Sequence, residues 1–456
     1  MAMGRREQSD QGSFWIPTSA LPTTAAHPFY EQVNRILDGK DFDGFVADLC
    51  RKFYHQRMGR PSLAPAVYFR LMLIGYFEGI GSERGMAWRV ADSLGLRRFL
   101  GYSLTDSTPD HSTISRNRRL IDVETHDAVF VWVLKVLAEE GLLKGKRIGV
   151  DATTLEANAA MKSIVRRDTG ESYQEFLMRL AQESGIETPT REDLVKLDKQ
   201  RKKKASNDDW ENPNEPDGKI TKMKDGRTHV AHKAEHAVDM DTGAIVTVTL
   251  QPAHRGDPES IEQTLPLAAD TLVEILSDEQ AGEHLSDSVM SELVADKGYH
   301  SNGVLTGVGQ MVSRTYLSEP KRGRRNWSDN PEARDAVYAN RRRIRGHRGK
   351  RLMKKRGELI ERSFAHCYDT GGMRRTHLRG HTNILKRLLI HVAGFNLSLV
   401  LRRMFGRGTA RGFQGLAARL LDVILRFMRP TSRVPTHLEA ILALPMNRCS
   451  QIPAAA

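Results

Sequence analysis

Between His27 and about Leu143 the apolar positions recur every three or four residues, the spacing of helices that bury one side. The run Val67 to Phe77 is apolar almost all round, which predicts a helix enclosed by other elements. Ser82 followed by Glu83, Arg84 and Gly85 opens a helix predicted to pass Trp88 and Leu94 before Gly95 stops it. Asp110 is a suitable N-cap for a basic helix carrying Arg116, Arg118 and Arg119. Short helices ending in a basic one are compatible with helix-turn-helix docking on DNA, and equally with a plain bundle bearing surface arginines.

Past a small hinge at Gly141–Lys146 the period shortens to that of strands. Strands are predicted at Lys146–Thr154, Thr228–Asp239, Ala244–Leu250, Glu292–Asp296 and Ser313–Leu317, with a hairpin turn at Thr242-Gly243. Pro258–Leu276 reads as an amphipathic helix, Gly357–Phe364 as the start of another, and Phe413–Met428 as a third with a wide apolar face. Residues 161–227 interrupt the pattern with charged pieces and a Pro/Asn-rich loop, and are expected to be an exposed insertion, partly helical and partly mobile. The first strand leads to a hairpin and not to a crossover helix, which speaks against a Rossmann domain, and neither GxGxxG nor a P-loop occurs. The fold class expected is α/β, an RNase H-like mixed sheet with flanking helices, preceded by an all-α, helix-turn-helix-like domain. Its expected parts are a loose arm (1–26), a helical DNA-binding domain (27–143), a catalytic domain (144–400), and a carboxy-terminal helix with a loose tail (401–456).

Charge changes the picture. The chain of 456 residues carries a formal charge of +13. From Lys321 to Arg356 fifteen lysines and arginines face only three acids, so this one segment accounts for nearly all of it. Such a field suits a polyphosphate partner and makes binding fall steeply with salt; a solvated basic linker is the plainer reading. Three widely separated cysteines, without CxxC spacing, argue for a reducing compartment and against a disulfide framework or structural zinc. The amino terminus lacks a signal-peptide core, and Leu388–Leu401 is too short and too polar to span a bilayer, so a soluble, cytoplasmic protein without membrane contact is expected.

Three acids then stand out. Asp151 ends the apolar run Arg147–Val150, Asp296 ends Glu292–Ala295, and Glu361 lies in a helical start. Two strand-borne aspartates and one helix-borne glutamate suit two Mg²⁺ or Mn²⁺ ions about 4 Å apart on a phosphodiester. Each alone is weak, since an aspartate at a strand end is usually a turn former. Glu358 and Arg362 are spaced for a surface pair, which leaves Glu358 as a competitor to Glu361. Asp257, before Pro258, reads as a helix cap and a supporting acid at most.

The segment Arg147 to Asn158 resembles the first-aspartate block of bacterial insertion-sequence transposases of the DDE class. Lys222 to His229 with Glu235 to Asp239, Ala295 to Tyr299, Pro109 to Arg116, and Glu361 to Phe364 resemble further blocks of that group, in order. The resemblance implies metal-dependent cleavage at terminal inverted repeats of a mobile element and strand transfer into target DNA, with Asp151, Asp296 and Glu361 as the metal-binding triad. It also implies a homodimer pairing two element ends on double-stranded DNA. An RNase H-like endonuclease without strand transfer, or an inactive DNA-binding relative, are the alternatives. Many relatives carry arginine four residues before the glutamate and lysine seven after it; here Gly357 and Tyr368 stand there, with Arg356 or Lys355 as substitutes for the arginine. Phosphate contacts are expected from Lys297, Arg341, Arg342, Arg343, Arg345, Arg348, Lys350 and Arg351, and sequence reading from Arg116, Arg118 and Arg119. Trp327 is a candidate for stacking on a base, though local packing is the commoner role of a lone aromatic.

Overall fold

The structure, a computed structural model, describes residues 27–55, 62–201, 205–223, 226–321, 323, 325, 327, 328 and 330–410. The arm expected at 1–26 and the helix expected at 413–428 lie outside the described residues. Among the described residues seven α-helices come first: α1 (Pro28–Gly39), α2 (Phe42–Cys50), α3 (Pro65–Glu78), α4 (Glu83–Ala91), α5 (Leu94–Phe99), α6 (His111–Leu120) and α7 (Val123–Glu139). As its all-round apolar pattern requires, α3 is buried continuously from Tyr68 to Phe77. The helix expected from Ser82 through Leu94 is instead two, because the Ser93 hydroxyl accepts from the Leu96 N–H and starts α5 anew. Asp110 caps α6 as expected, accepting from the Thr113 N–H at 2.6 Å.

The remaining elements are β1 (Arg147–Glu156), β2 (Val165–Arg166), α8 (Tyr173–Glu183), α9 (Arg191–Gln200), β3 (Trp210–Glu211), β4 (Lys219–Lys222), β5 (Thr228–Asp239), β6 (Ile245–Pro252), α10 (Asp257–Leu276), β7 (Glu292–Ala295), α11 (Asn302–Met311), β8 (Arg314–Leu317), α12 (Pro331–Arg345), α13 (His347–Phe364) and α14 (His381–Phe405), with a π-helical stretch at Ala365–Thr370. The fold is mixed α/β. Its six-stranded sheet runs β4-β5-β1-β7-β8, with β6 also on β5. β5 is antiparallel to β1, whereas β7 and β8 run parallel to it. The Asp239 carboxylate accepts from the Lys144 and Gly145 N–H groups and so fixes the turn that launches β1.

The insertion differs from its expected exposed form. Phe176, Leu177 and Trp210 bury against Ile164, Ala157 and Val230, so α8 and the β2–β3 pair carry a small core of their own. Five or six apolar side chains shielding one another suffice to order a charged segment that periodicity alone shows as solvated. β4 then joins the edge of the main sheet.

By length and apolarity α14 would pass for a membrane span, yet 89% of its apolar window is buried inside the protein. It packs on α3, α7 and β6, joining the amino-terminal helices to the sheet. Asn396 settles the register: its amide accepts from the Ile245 N–H and donates to the Ile245 carbonyl, at 2.9 and 2.8 Å. A single polar side chain that satisfies both backbone groups of a buried strand end is costly to displace.

Candidate active site

Val150 pairs with Ala295 in the last row of the parallel β1–β7 ladder, so Asp151 and Asp296 occupy the next row. Residues in one row of a parallel pair point to the same face, and adjacent strands lie about 4.8 Å apart. The two aspartates therefore stand side by side at the carboxyl end of β7. Both are half-buried.

α13 crosses this face closely because Gly149 has no side chain; a Cβ there would press on Met240 and meet the Ile360 side chain at 3.3 Å. That approach delivers Arg356, whose Nη1 donates to Asp151 Oδ2 at 2.6 Å, while the Ala152 N–H donates to Oδ1 at 2.9 Å. Burial raises the Asp151 carboxyl above its ordinary range; Arg356 and the Ala152 N–H oppose that rise, and the Asp296 charge adds to it.

Asp296 turns the chain by accepting from the Gly298 N–H at 2.7 Å. Gly298 is squeezed between carboxylates, since a Cβ there would collide with Asp257 Oδ2 and touch Asp296 Oδ1 at 3.0 Å. Asp257 was expected to cap α10, but its side chain makes no cap bond. The Lys233 ammonium draws it away instead, at 2.7 Å, and also donates to Ser260 Oγ at 2.8 Å. A full opposite charge is a stronger partner than a backbone N–H. Next to this pair lies Glu235, fully buried, accepting from Tyr299 (2.7 Å), Ser260 (2.6 Å) and Thr264. Burial raises the Glu235 carboxyl and lifts the Tyr299 phenol far above its usual range. The Lys297-Gly298-Tyr299 turn is thus tied down from below by a buried carboxyl group that accepts from three hydroxyls.

Glu361 is not part of this cluster. α13 turns Leu359, Ile360, Ser363 and Phe364 inward, and Glu361 lies exposed on the other side of the helix. Glu358 is exposed as well and forms the expected i,i+4 pair with Arg362 at 2.7 Å. Among the described residues no three histidine, cysteine or acidic side chains gather so as to hold a metal ion.

The basic residues divide by exposure. Arg118 does not face solvent: it is buried, bonded to Glu83 at 2.7 Å and to Asn383, and so ties α6 to α4 and α14. Polar partners on α4 and α14 hold the middle arginine on the inner side of α6, leaving Arg116 and Arg119 outside. Arg341 forms a two-point pair with Glu319, Arg348 Nη2 donates to both oxygens of Glu292, and Arg343 donates to Thr315. Lys297, Arg342, Arg345, Lys350 and Arg351 are exposed. Trp327 lies under the Arg325 guanidinium at 5.3 Å and 6.4 Å from the Tyr338 ring, in the wall of a cavity of about 610 Å³.

Tyr368, where relatives of the resembled group carry lysine, is fully buried and hydrogen bonded to His236 Nε2 at 2.6 Å. His236 also meets Ser363 Oγ at 2.9 Å, and burial lowers its pKa to about 3, so it is neutral. The sequence reading gave no role to Glu235, Thr153 or Arg374. Glu235 stands with Lys233, His236 and Asp239 in the predicted strand, and this polar set was its available sign, because a buried carboxylate needs partners; Arg374 gave no such sign.

A comparison with curated proteins finds no match. Residues 20–120 match a family model described as Transposase domain (DUF772), covering α1 to α6, and this match supports a transposase, a DNA-cleaving enzyme.

Proposed function

We propose that the chain is a DDE-class transposase that cleaves DNA at the ends of a mobile element and joins them to target DNA. The observation that carries this reading is the Asp151–Asp296 pair in one row of two parallel strands, on the face that α13 crosses and where Arg356 reaches Asp151. The strand order, with β5 antiparallel and β7 and β8 parallel to β1, supports an RNase H-like catalytic domain. Hard divalent cations take carboxylate oxygens, and the donor chemistry of Asp151 and Asp296 fits Mg²⁺ or Mn²⁺. Two such ions, when bound, acidify a water or a 3′-hydroxyl and stabilise the leaving oxygen. Glu361 would become the third ligand only by a turn of α13 that exchanges it for the Arg356 side of the helix.

Asp151 and Asp296 hold the reacting end of the site, and their crowding is relieved by Arg356 in the DNA-free chain. Arg342, Arg345, Lys350, Arg351 and Lys297 position the duplex through its phosphates, which needs no sequence reading. Arg116 and Arg119 face solvent on the matched domain and take the sequence-reading role. Two element ends held together require two copies, so a homodimer assembles on DNA.

Two observations favour a second reading, a DNA-binding relative without catalysis: Arg356 already occupies Asp151, and Glu361 faces away. The deciding experiment incubates the full chain with end-labelled DNA carrying the sequences that flank its coding region, Mg²⁺ and a target plasmid. Cleaved and joined products that vanish in Asp151→Asn, with DNA binding retained, support the transposase. Cleavage without joining supports a nuclease, and binding without cleavage in the native chain supports the inactive relative.

A further inference from the structure

Arg374 follows the π-helical stretch and folds back over β1. Its Nη1 donates to Thr153 Oγ1 at 3.1 Å, and its Nε donates to Asp369 at 2.9 Å. Its guanidinium stacks over the Tyr368 ring at 5.5 Å, and that ring is immobilised by burial and by His236. Thr153 is two residues beyond Asp151 on one strand, so both point to the same face. Arg356 and Arg374 therefore come from opposite sides of the π-helical stretch to adjacent same-face positions of β1, one at Asp151 and one at Thr153. Two residues along a strand span roughly 6.6 Å, comparable to the step between successive phosphates of one nucleic-acid strand. π-helical insertions often mark functional sites, and this one re-aims the chain so that Arg374 can return to the sheet.

We propose that Arg374 is a DNA-contacting residue that grips the phosphate next to the one at Asp151, on the strand to be cut. This rests on the transposase reading. The side chain is 39% exposed, so a phosphate can reach the guanidinium without unfolding its surroundings. The partner it must give up, the Asp369 carboxylate, is 55% exposed and easily resolvated. The guanidinium already rests over the buried Tyr368 ring, so less rotamer freedom is lost on binding. This also accounts for a tyrosine at 368: the position supports a cation and does not supply one.

The test measures binding of a random-sequence duplex to the full chain by fluorescence anisotropy at several KCl concentrations, without divalent ions. Each phosphate contact contributes about 0.9 to the slope of log affinity against log salt. Arg374→Ala is expected to lower that slope by about 1 and to weaken binding several-fold at low salt, Arg374→Lys to retain the slope, and Arg375→Ala to match the native chain. A native slope in Arg374→Ala, with binding and melting temperature intact, overturns the proposal. If Arg374→Ala is unstable, Arg374→Lys and Arg374→Gln decide: equal slopes overturn it, and a loss in Gln alone supports it. Failure of the native chain to bind duplex DNA at all overturns the transposase reading itself, a separate result.

Discussion

Replacing Arg356 with glutamine is the most informative perturbation of the site. The guanidinium is 13% exposed and the Asp151 side chain 26%, so the pair is neither a surface bridge nor a dry one. Charge-assisted hydrogen bonds contribute about 1.5–3 kcal/mol, and partial solvent access places this pair at the lower end, about 1.5 kcal/mol. That magnitude is read by a double-mutant cycle of Arg356→Gln and Asp151→Asn, with urea unfolding at pH 7 in the presence of EDTA. The native chain should be coupled by about 1–2 kcal/mol, each single variant losing most of it. If a cation takes the place vacated by the arginine, Mg²⁺ should stabilise Arg356→Gln more than the native chain and Asp151→Asn least of all, following mass action on the folded state. A coupling below about 0.3 kcal/mol, within the additivity of independent sites, would refute the pairing. Equal stabilisation of all three proteins by Mg²⁺ would refute the exchange.

Gly298→Ala should cost about 1–3 kcal/mol by overpacking, because the new methyl drives Asp257 off Lys233; urea unfolding measures it, and a neutral result would mean the two carboxylates do not flank that Cα. Arg118→Ala should destabilise by about 3 kcal/mol by stranding Glu83, without a change in DNA sequence preference; selection from a randomised duplex pool checks the second half. Glu235 has a folded pKa raised above its unfolded value, so its stabilising contribution is complete below the unfolded pKa and is lost as pH rises through the folded one. Glu235→Gln should therefore flatten the fall in stability between acid and neutral pH, and an unchanged profile from unfolding at stepped pH would assign that slope to other groups. In the cleavage assay Glu361→Gln should abolish product while Glu358→Gln leaves it; the opposite pattern would move the third ligand to Glu358.

Local pattern alone determined much of this protein. The all-round apolarity of α3, the Asp110 cap of α6, and the strand spans of β5, β7 and β8 are set by neighbours within a few residues, and those interactions read directly from the chain. That Asp151 and Asp296 belong to or directly follow strands was also legible, because each follows an apolar run. Only tertiary structure decided what surrounds them. Gly149 admits α13, so the partner of Asp151 is Arg356, more than two hundred residues along the chain. Asp257 left its capping role because Lys233 approaches from another strand, and Arg118 became a tie between helices because α4 and α14 enclose it. Glu361 faces solvent because the phase of α13 is fixed by Ile360, Ser363 and Phe364 against the sheet. Helical phase and long-range pairing depend on which surfaces meet, and burial energy settles that over the whole core, not over a window of residues.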